Sequence, residues 1–172
     1  GPTAAQAFTR LHVTIVGMGG VGSWAVESLA RAGVGKLTLV DGDVSEESNT
    51  NRQCHAIQGN YGRWKAELMG ERVKLINPDC EVNVITEVLE PDTMDAQLGT
   101  SDALIDAIDT LKAKAALIAW GHKNGIFTLT SGGGAGRCDP GKIHVADIAA
   151  VKADPLIGAL RRELRGSANQ RI

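Results

Sequence analysis

HVTIV (His12 to Val16) runs into GMGGVG (Gly17 to Gly22), and Asp41 follows nineteen residues after the last of these glycines. The first five residues are β-branched or apolar apart from His12 and read as a buried strand. Beyond the glycines, Val21, Trp24, Ala25, Ser28, Leu29 and Ala32 recur at helical spacing, so the glycine run joins a strand to a helix. Glycines permit the tight turn and let backbone N–H groups approach a phosphate, which the positive end of the helix also attracts. KLTLV (Lys36 to Val40) gives a second strand with Asp41 at its carboxyl end, where an acid accepts hydrogen bonds from ribose hydroxyls. Gly17, Gly19, Gly20, Gly22 and Asp41 are therefore expected to bind a nucleotide. Up to this point NAD fits as well as ATP.

The next residues separate the two. Asn49, Asn51, Arg52 and Gln53 form a dense polar cluster soon after the ribose acid, and Lys65 follows thirteen residues after Arg52. Two cations beside a phosphate loop suit a triphosphate whose charge must be neutralised during reaction. DALIDAID (Asp102 to Asp109) reads as an apolar strand ending in acids at Asp106 and Asp109. Ligands of open α/β sheets bind at the carboxyl ends of parallel strands. A carboxylate there suits Mg²⁺, which takes one or two carboxylates together with phosphate oxygens. Asp109 is the expected metal ligand and Asp106 a structural acid. The sum is ATP with Mg²⁺.

The chain has 172 residues, enough for one domain with a real core, and a net charge of −2. That charge excludes a wholly basic nucleic-acid coat but leaves room for a local patch. One candidate is the last segment, where Lys152, Arg161, Arg162, Arg165 and Arg171 outnumber Asp154 and Glu163. No apolar run approaches the roughly twenty residues of a membrane span, and no signal peptide is visible, so a cytoplasmic protein without a membrane partner is expected. Cys54, Cys80 and Cys138 are widely spaced and supply neither a disulfide framework nor a CxxC zinc site.

Strands and helices alternate along the chain. Helices are expected over Gly62–Ile76, Asp92–Leu98 and Leu111–Lys123, and again from Pro155 onward. Strands are expected over Glu81–Val88, Ile126–Thr130 and Ile143–Ile148. Gly132 to Gly136 reads as a loop where backbone approaches a ligand. The fold class is α/β, a Rossmann-like, doubly wound and largely parallel sheet. One adenylating domain is expected over residues 1–165, with 166–172 as a loop or tail.

The chain resembles the ThiF/MoeB/HesA family, bacterial relatives of ubiquitin-activating enzymes. The resemblance rests on Gly17–Gly22, Asp41, Asn49–Gln53, Lys65 and Asp109, in order and at the family's spacing. Within the family the similarity is greatest to the branch that dehydrates threonylcarbamoyladenosine in tRNA. GVGSWA at Gly20–Ala25, His55-Ala56 after NTNRQ, INP at Ile76–Pro78, DAID at Asp106–Asp109 and DPL at Asp154–Leu156 carry that likeness. The resemblance implies an ATP-dependent adenylation of a carboxylate in which Arg52, Lys65 and Asp109 are catalytic. It also implies a tRNA bearing threonylcarbamoyladenosine as substrate, a homodimer, and an N-terminal arm and C-terminal portion that this sequence lacks. It allows a sulfur-transfer protein as a further partner. Two alternatives stay open: activation of the C-terminal glycine of a sulfur-carrier protein, and an NAD-binding oxidoreductase.

Simpler roles compete at several positions. Asp109 could cap the following helix, Lys65 could be a solvated helix lysine, and Cys54 reads better as a small buried hydrophobe than as a nucleophile. His12, His55, His122 and His144 have no assigned role. Trp24, Trp64 and Trp120 are expected in the core. The C-terminal helix, with Arg161, Arg162 and Arg165 helped by Lys142 and Lys152, is the expected tRNA face.

Overall fold

A computed structural model of the protein describes residues 6–134 and 136–167. Five strands, β1 (His12–Val16), β2 (Lys36–Val40), β3 (Glu81–Ile85), β4 (Ala103–Asp106) and β5 (Phe127–Thr130), form one sheet in the order β3-β2-β1-β4-β5. Every pairing is parallel, with Thr14 opposite Thr38 and Leu104, for example. The strand order reverses direction between β1 and β4, which opens a crevice at their carboxyl ends. The expected doubly wound α/β class is the observed one.

Alternation along the strands sends apolar side chains to both faces, as a sheet covered on two sides requires. On one face Val13, Ile15, Leu37 and Leu39 pack against Val26 and Ala30 of α1 (Gly22–Arg31) and Ala66, Met69 and Val73 of α2 (Lys65–Ile76). On the other, Val16, Val40 and Leu104 meet Met94 and Leu98 of α3 (Met94–Leu98) and Leu117 and Trp120 of α4 (Leu111–Lys123). A third cluster joins Ala115 of α4 to Ile157 and Leu160 of α5 (Pro155–Ser167). Glu27 of α1 pairs with Arg31 on its own helix and ties α1 to α2 through Arg72. Hydrogen bonding to Arg72, more than Arg31, holds its carboxyl below the usual range despite burial.

Four expectations change. Ile143–Ile148 is irregular rather than a strand, with Ile143 and Val145 83% and 85% exposed. Among the described residues no neighbour offers this segment a ladder, and Asp139 and Asp147 instead accept from Gly141 N and Ala149 N in local turns. Trp24 and Trp64 are 52% and 40% exposed, so only Trp120 joins the core as expected, its indole donating to Asp95. Arg161 donates to the carbonyls of Ile148, Ala149 and Val151, which removes it from the solvent-facing basic set. The last helix includes Gly166 and Ser167; residues 168–172 lie outside the described ones.

At the carboxyl end of β4 lies a feature that sequence reasoning missed. Asp106 and Lys114 are both fully buried and 2.8 Å apart. Thr130 Oγ1, on the neighbouring strand, donates to Asp106 at 2.7 Å and accepts from Lys114 at 2.9 Å. Asp106 thus has the structural role expected of it. Removing one partner of such a pair leaves an uncompensated charge in the interior. Lys114→Met should therefore lower the unfolding free energy by about 3–5 kcal/mol, and adding Asp106→Leu should recover part of the loss. Urea titration measures both; a loss below about 1 kcal/mol in the single variant would mean that water reaches Asp106.

Candidate functional site

The crevice between β1 and β4 is built from the glycine turn. Gly17 has φ +92°, and a Cβ there would stand 2.8 Å from the carbonyl of Ala107, just past β4. A side chain at Gly22 would run into the Gly17 carbonyl, so the turn closes directly onto the start of α1. That helix start carries neither a side-chain cap nor an acid in its first turn, which leaves its positive end for an external anion. Nothing lies within 4 Å of where a Gly19 side chain would project, whereas Gly20 lies under the stem of Arg52.

Asp41 lies across the turn. Its carboxylate accepts from Met18 N at 2.5 Å and Asp43 N at 2.8 Å. Burial pushes this carboxyl above the usual range, against the opposing pull of those two amides and of the Lys65 ammonium. Lys65 is only 7% exposed, which departs from a solvated helix lysine, and its Nζ lies 2.9 Å from Asp43. Asp43 gave no signal in the sequence, yet it orients Lys65 through its main chain as well, accepting from Lys65 N.

The polar cluster divides. Asn49 is buried and its side chain is engaged locally, accepting from Glu46 N and donating to Ser48. Asn51 and Arg52 are exposed, and Arg52 Nη1 donates to Asn51 Oδ1 at 2.9 Å and to the Ser48 carbonyl at 3.2 Å. Gln53 is buried, and its Oε1 has no hydrogen-bond partner. Orphaned buried acceptors are uncommon and favour a donor from outside the chain. His55, fully enclosed, reaches the Met18 carbonyl at 3.0 Å and Ser45 Oγ at 3.3 Å, and burial lowers its pKa. It fastens the polar cluster to the glycine turn as a neutral ring. Cys54 packs against Met69 with its thiol pKa raised by burial, which suits a small hydrophobe and not a nucleophile.

Asp109 is exposed and lies three residues beyond the end of β4, not on the strand as expected. It does not cap α4, whose first turn has no side-chain cap, and its Oδ1 accepts only a long bond from Thr110 at 3.4 Å. The turn that carries it is fixed from beneath, because Asp106 Oδ1 accepts from Ile108 N at 3.1 Å. Ala107, two residues before Asp109, is the residue against which Gly17 packs. The described residues hold no cluster of three or more His, Cys, Asp or Glu that could cage a metal, so a cation here would need phosphate oxygens as further ligands.

The start of the glycine loop after β5 is held by the protein itself at Gly132 and Gly133. Gly133 N donates to Asp154 at 3.2 Å, and a side chain at Gly132 would collide with that carboxylate. Asp154 also accepts from Ile157 N at the start of α5 and pairs with Arg137 at 3.1 Å. No helix among the described residues is long and apolar enough to cross a membrane.

The ThiF family matches residues 1–157. The tRNA threonylcarbamoyladenosine dehydratase of Escherichia coli K12 is 46% identical over 166 residues, covering 96% of this chain and 62% of the relative. That of Haemophilus influenzae is 44% identical over 169 residues, covering 98% and 65%. The chain thus spans a little under two thirds of the length of these relatives. The crystal structure of the E. coli tRNA N6-threonylcarbamoyladenosine dehydratase in complex with ATP superposes with a TM-score of 0.94 at 45% identity, over 97% of this chain and 69% of that one. With a family match over residues 1–157 and a crevice built at the glycine turn, this chain belongs to the ThiF family.

Proposed function

We propose that this domain binds ATP with Mg²⁺ and adenylates a carboxylate, that of threonylcarbamoyladenosine in tRNA. ATP supplies the adenylyl group, pyrophosphate leaves, and the neighbouring carbamoyl group then closes onto the activated carboxyl with release of AMP. The observation that carries this reading is the placement of Arg52 directly over Gly20, at the open start of α1. A dinucleotide brings only a diphosphate to this turn, whereas a triphosphate supplies further anionic oxygens for that guanidinium. The E. coli relative, whose structure was solved with ATP, supports the same choice.

In this reading the glycine turn seats the phosphates and Asp41 receives the ribose hydroxyls. Gln53 offers its free Oε1 to a donor on the nucleotide or substrate. Arg52 and Lys65 stabilise charge growing on the phosphates, and Asp109 would hold Mg²⁺, which would neutralise phosphate charge. Positioning and charge stabilisation supply most of the rate effect, so no nucleophilic side chain is needed. A cytoplasmic location follows from a tRNA substrate.

In the full-length protein, calorimetry should show ATP with Mg²⁺ binding more tightly than NAD, and tRNA should lose one water from its open-chain modification by mass spectrometry. Arg52→Ala should cost the transition state roughly 2–4 kcal/mol, by analogy with a lost oxyanion donor. Asp109→Ala should remove Mg²⁺-dependent turnover without changing the melting temperature. Tighter NAD binding, or turnover that needs a carrier protein in place of tRNA, would overturn the assignment.

The tRNA docks, in this proposal, on the exposed face of α5. Arg162 and Arg165 point to solvent there, and Lys142 and Lys152 are also exposed. Arg161 is excluded because its guanidinium holds the turn at Ile148–Val151. Arg162→Glu with Arg165→Glu should weaken tRNA binding and reduce the salt slope by about 0.7–0.9 per lost phosphate contact. ATP affinity should stay unchanged. An equal slope in the double variant would move the RNA elsewhere.

A second copy of the chain is the occupant we propose for the apolar surface beside the site, where Val21, Trp24 and Tyr61 are exposed. Trp24 and Tyr61 both bond to the turn that carries Arg52, through Arg52 O and Thr50 Oγ1. Sedimentation should give a dimer at micromolar concentration; a monomer would refute this.

A further inference from the structure

We propose that Trp24 is a positioning residue for Arg52. This inference rests on the reading of Arg52 as the group that stabilises phosphate charge. Trp24 is the third residue of α1 and is 52% exposed within one copy, so packing inside the chain does not fix its ring. Its indole Nε1–H donates to the backbone carbonyl of Arg52 at 2.9 Å, across 28 residues of sequence. Ser28 Oγ in turn donates to the Trp24 carbonyl at 2.8 Å, within the same helix.

That bond spans the two halves of the site. α1 begins at the glycine turn, and Arg52 ends a short turn in which Arg52 N and Gln53 N both donate to the Asn49 carbonyl, at 3.1 and 3.0 Å. The Arg52 stem then lies 3.2–3.4 Å from where a Gly20 side chain would begin. An exposed arginine has many rotamers, and its reach is defined only when its backbone is held at a fixed offset from the phosphate loop. Trp24 provides that offset because it sits on the same rigid helix as the loop. Its positioning of Arg52 therefore works through its N–H, and its apolar face is left to the partner copy.

Trp24→Phe separates the two, since it keeps an aromatic ring and removes the donor. The experiment compares wild type, Trp24→Phe, Arg52→Ala and the double variant of the full-length protein. It follows AMP formation with ATP, Mg²⁺ and tRNA bearing threonylcarbamoyladenosine, and records melting temperature alongside. Trp24→Phe should lower kcat about tenfold, the rate equivalent of one lost hydrogen bond, with little change in KM for ATP or in Tm. In the Arg52→Ala background the same substitution should have no further effect, because the residue it positions is gone. Wild-type kcat in Trp24→Phe, or the same fold loss in both backgrounds, would overturn the proposal and leave the adenylation reading standing. Wild-type turnover in Arg52→Ala alone would overturn the reading of Arg52 and this proposal with it.

Discussion

The buried contact between Asp106 and Lys114 is the constraint on which the rest of the crevice depends. Neither group reaches water, so each must find its counterpart and its hydrogen bonds inside the protein. The geometry is narrow: one carboxylate, one ammonium and the Thr130 hydroxyl within 2.9 Å of one another. It brings the ends of β4 and β5 and the first turn of α4 to one point. From that point the main chain turns outward in two directions. Asp106 Oδ1 fixes the turn toward Asp109 through Ile108 N, and its carbonyl accepts from Ser131 N at 3.0 Å, setting the start of the glycine loop after β5. Both rims of the crevice on this side hang from a single residue.

The opposite side is organised around Asp41. An acid at the end of β2 is half enclosed, and two amides from adjacent turns hold its charge in place. Because Met18 N belongs to the glycine turn, the acid at the end of β2 also fixes the glycine loop, the pair proposed to receive ribose and phosphate. Lys65, attached through Asp43, adds positive potential to the same corner. The two sides meet where Ala107 touches Gly17, so backbone contact instead of side-chain packing closes the floor of the site.

Much of this was legible in the sequence, for definite physical reasons. The glycine turn, Asp41 and the five strands of the sheet show themselves through local periodicity and a steric rule, both of which survive without knowledge of neighbours. What escaped depends on partners distant in the chain. Lys114 occupies an ordinary position on a helix, and nothing nearby signals that it points inward to Asp106. Trp24 and Trp64 lie at helical spacing, but spacing identifies a face and does not say what covers it. Ile143–Ile148 alternates like a strand, yet a ladder needs a second strand, and none of the described residues supplies one. Arg161 looks like a surface cation because the carbonyls it binds lie ten to thirteen residues earlier, in a turn without a recognisable signature.

Asp154 closes three segments onto one carboxylate: the start of α5, the Gly132–Gly133 backbone and Arg137. Such a shared acceptor makes the loop and the helix a single cooperative unit, because neither can leave without stranding polar groups of the other. Local opening of this corner is then all-or-none. The amides of Gly133 and Ile157, although 24 residues apart in the chain, should exchange with solvent at one common rate set by the undocking of α5 from α4.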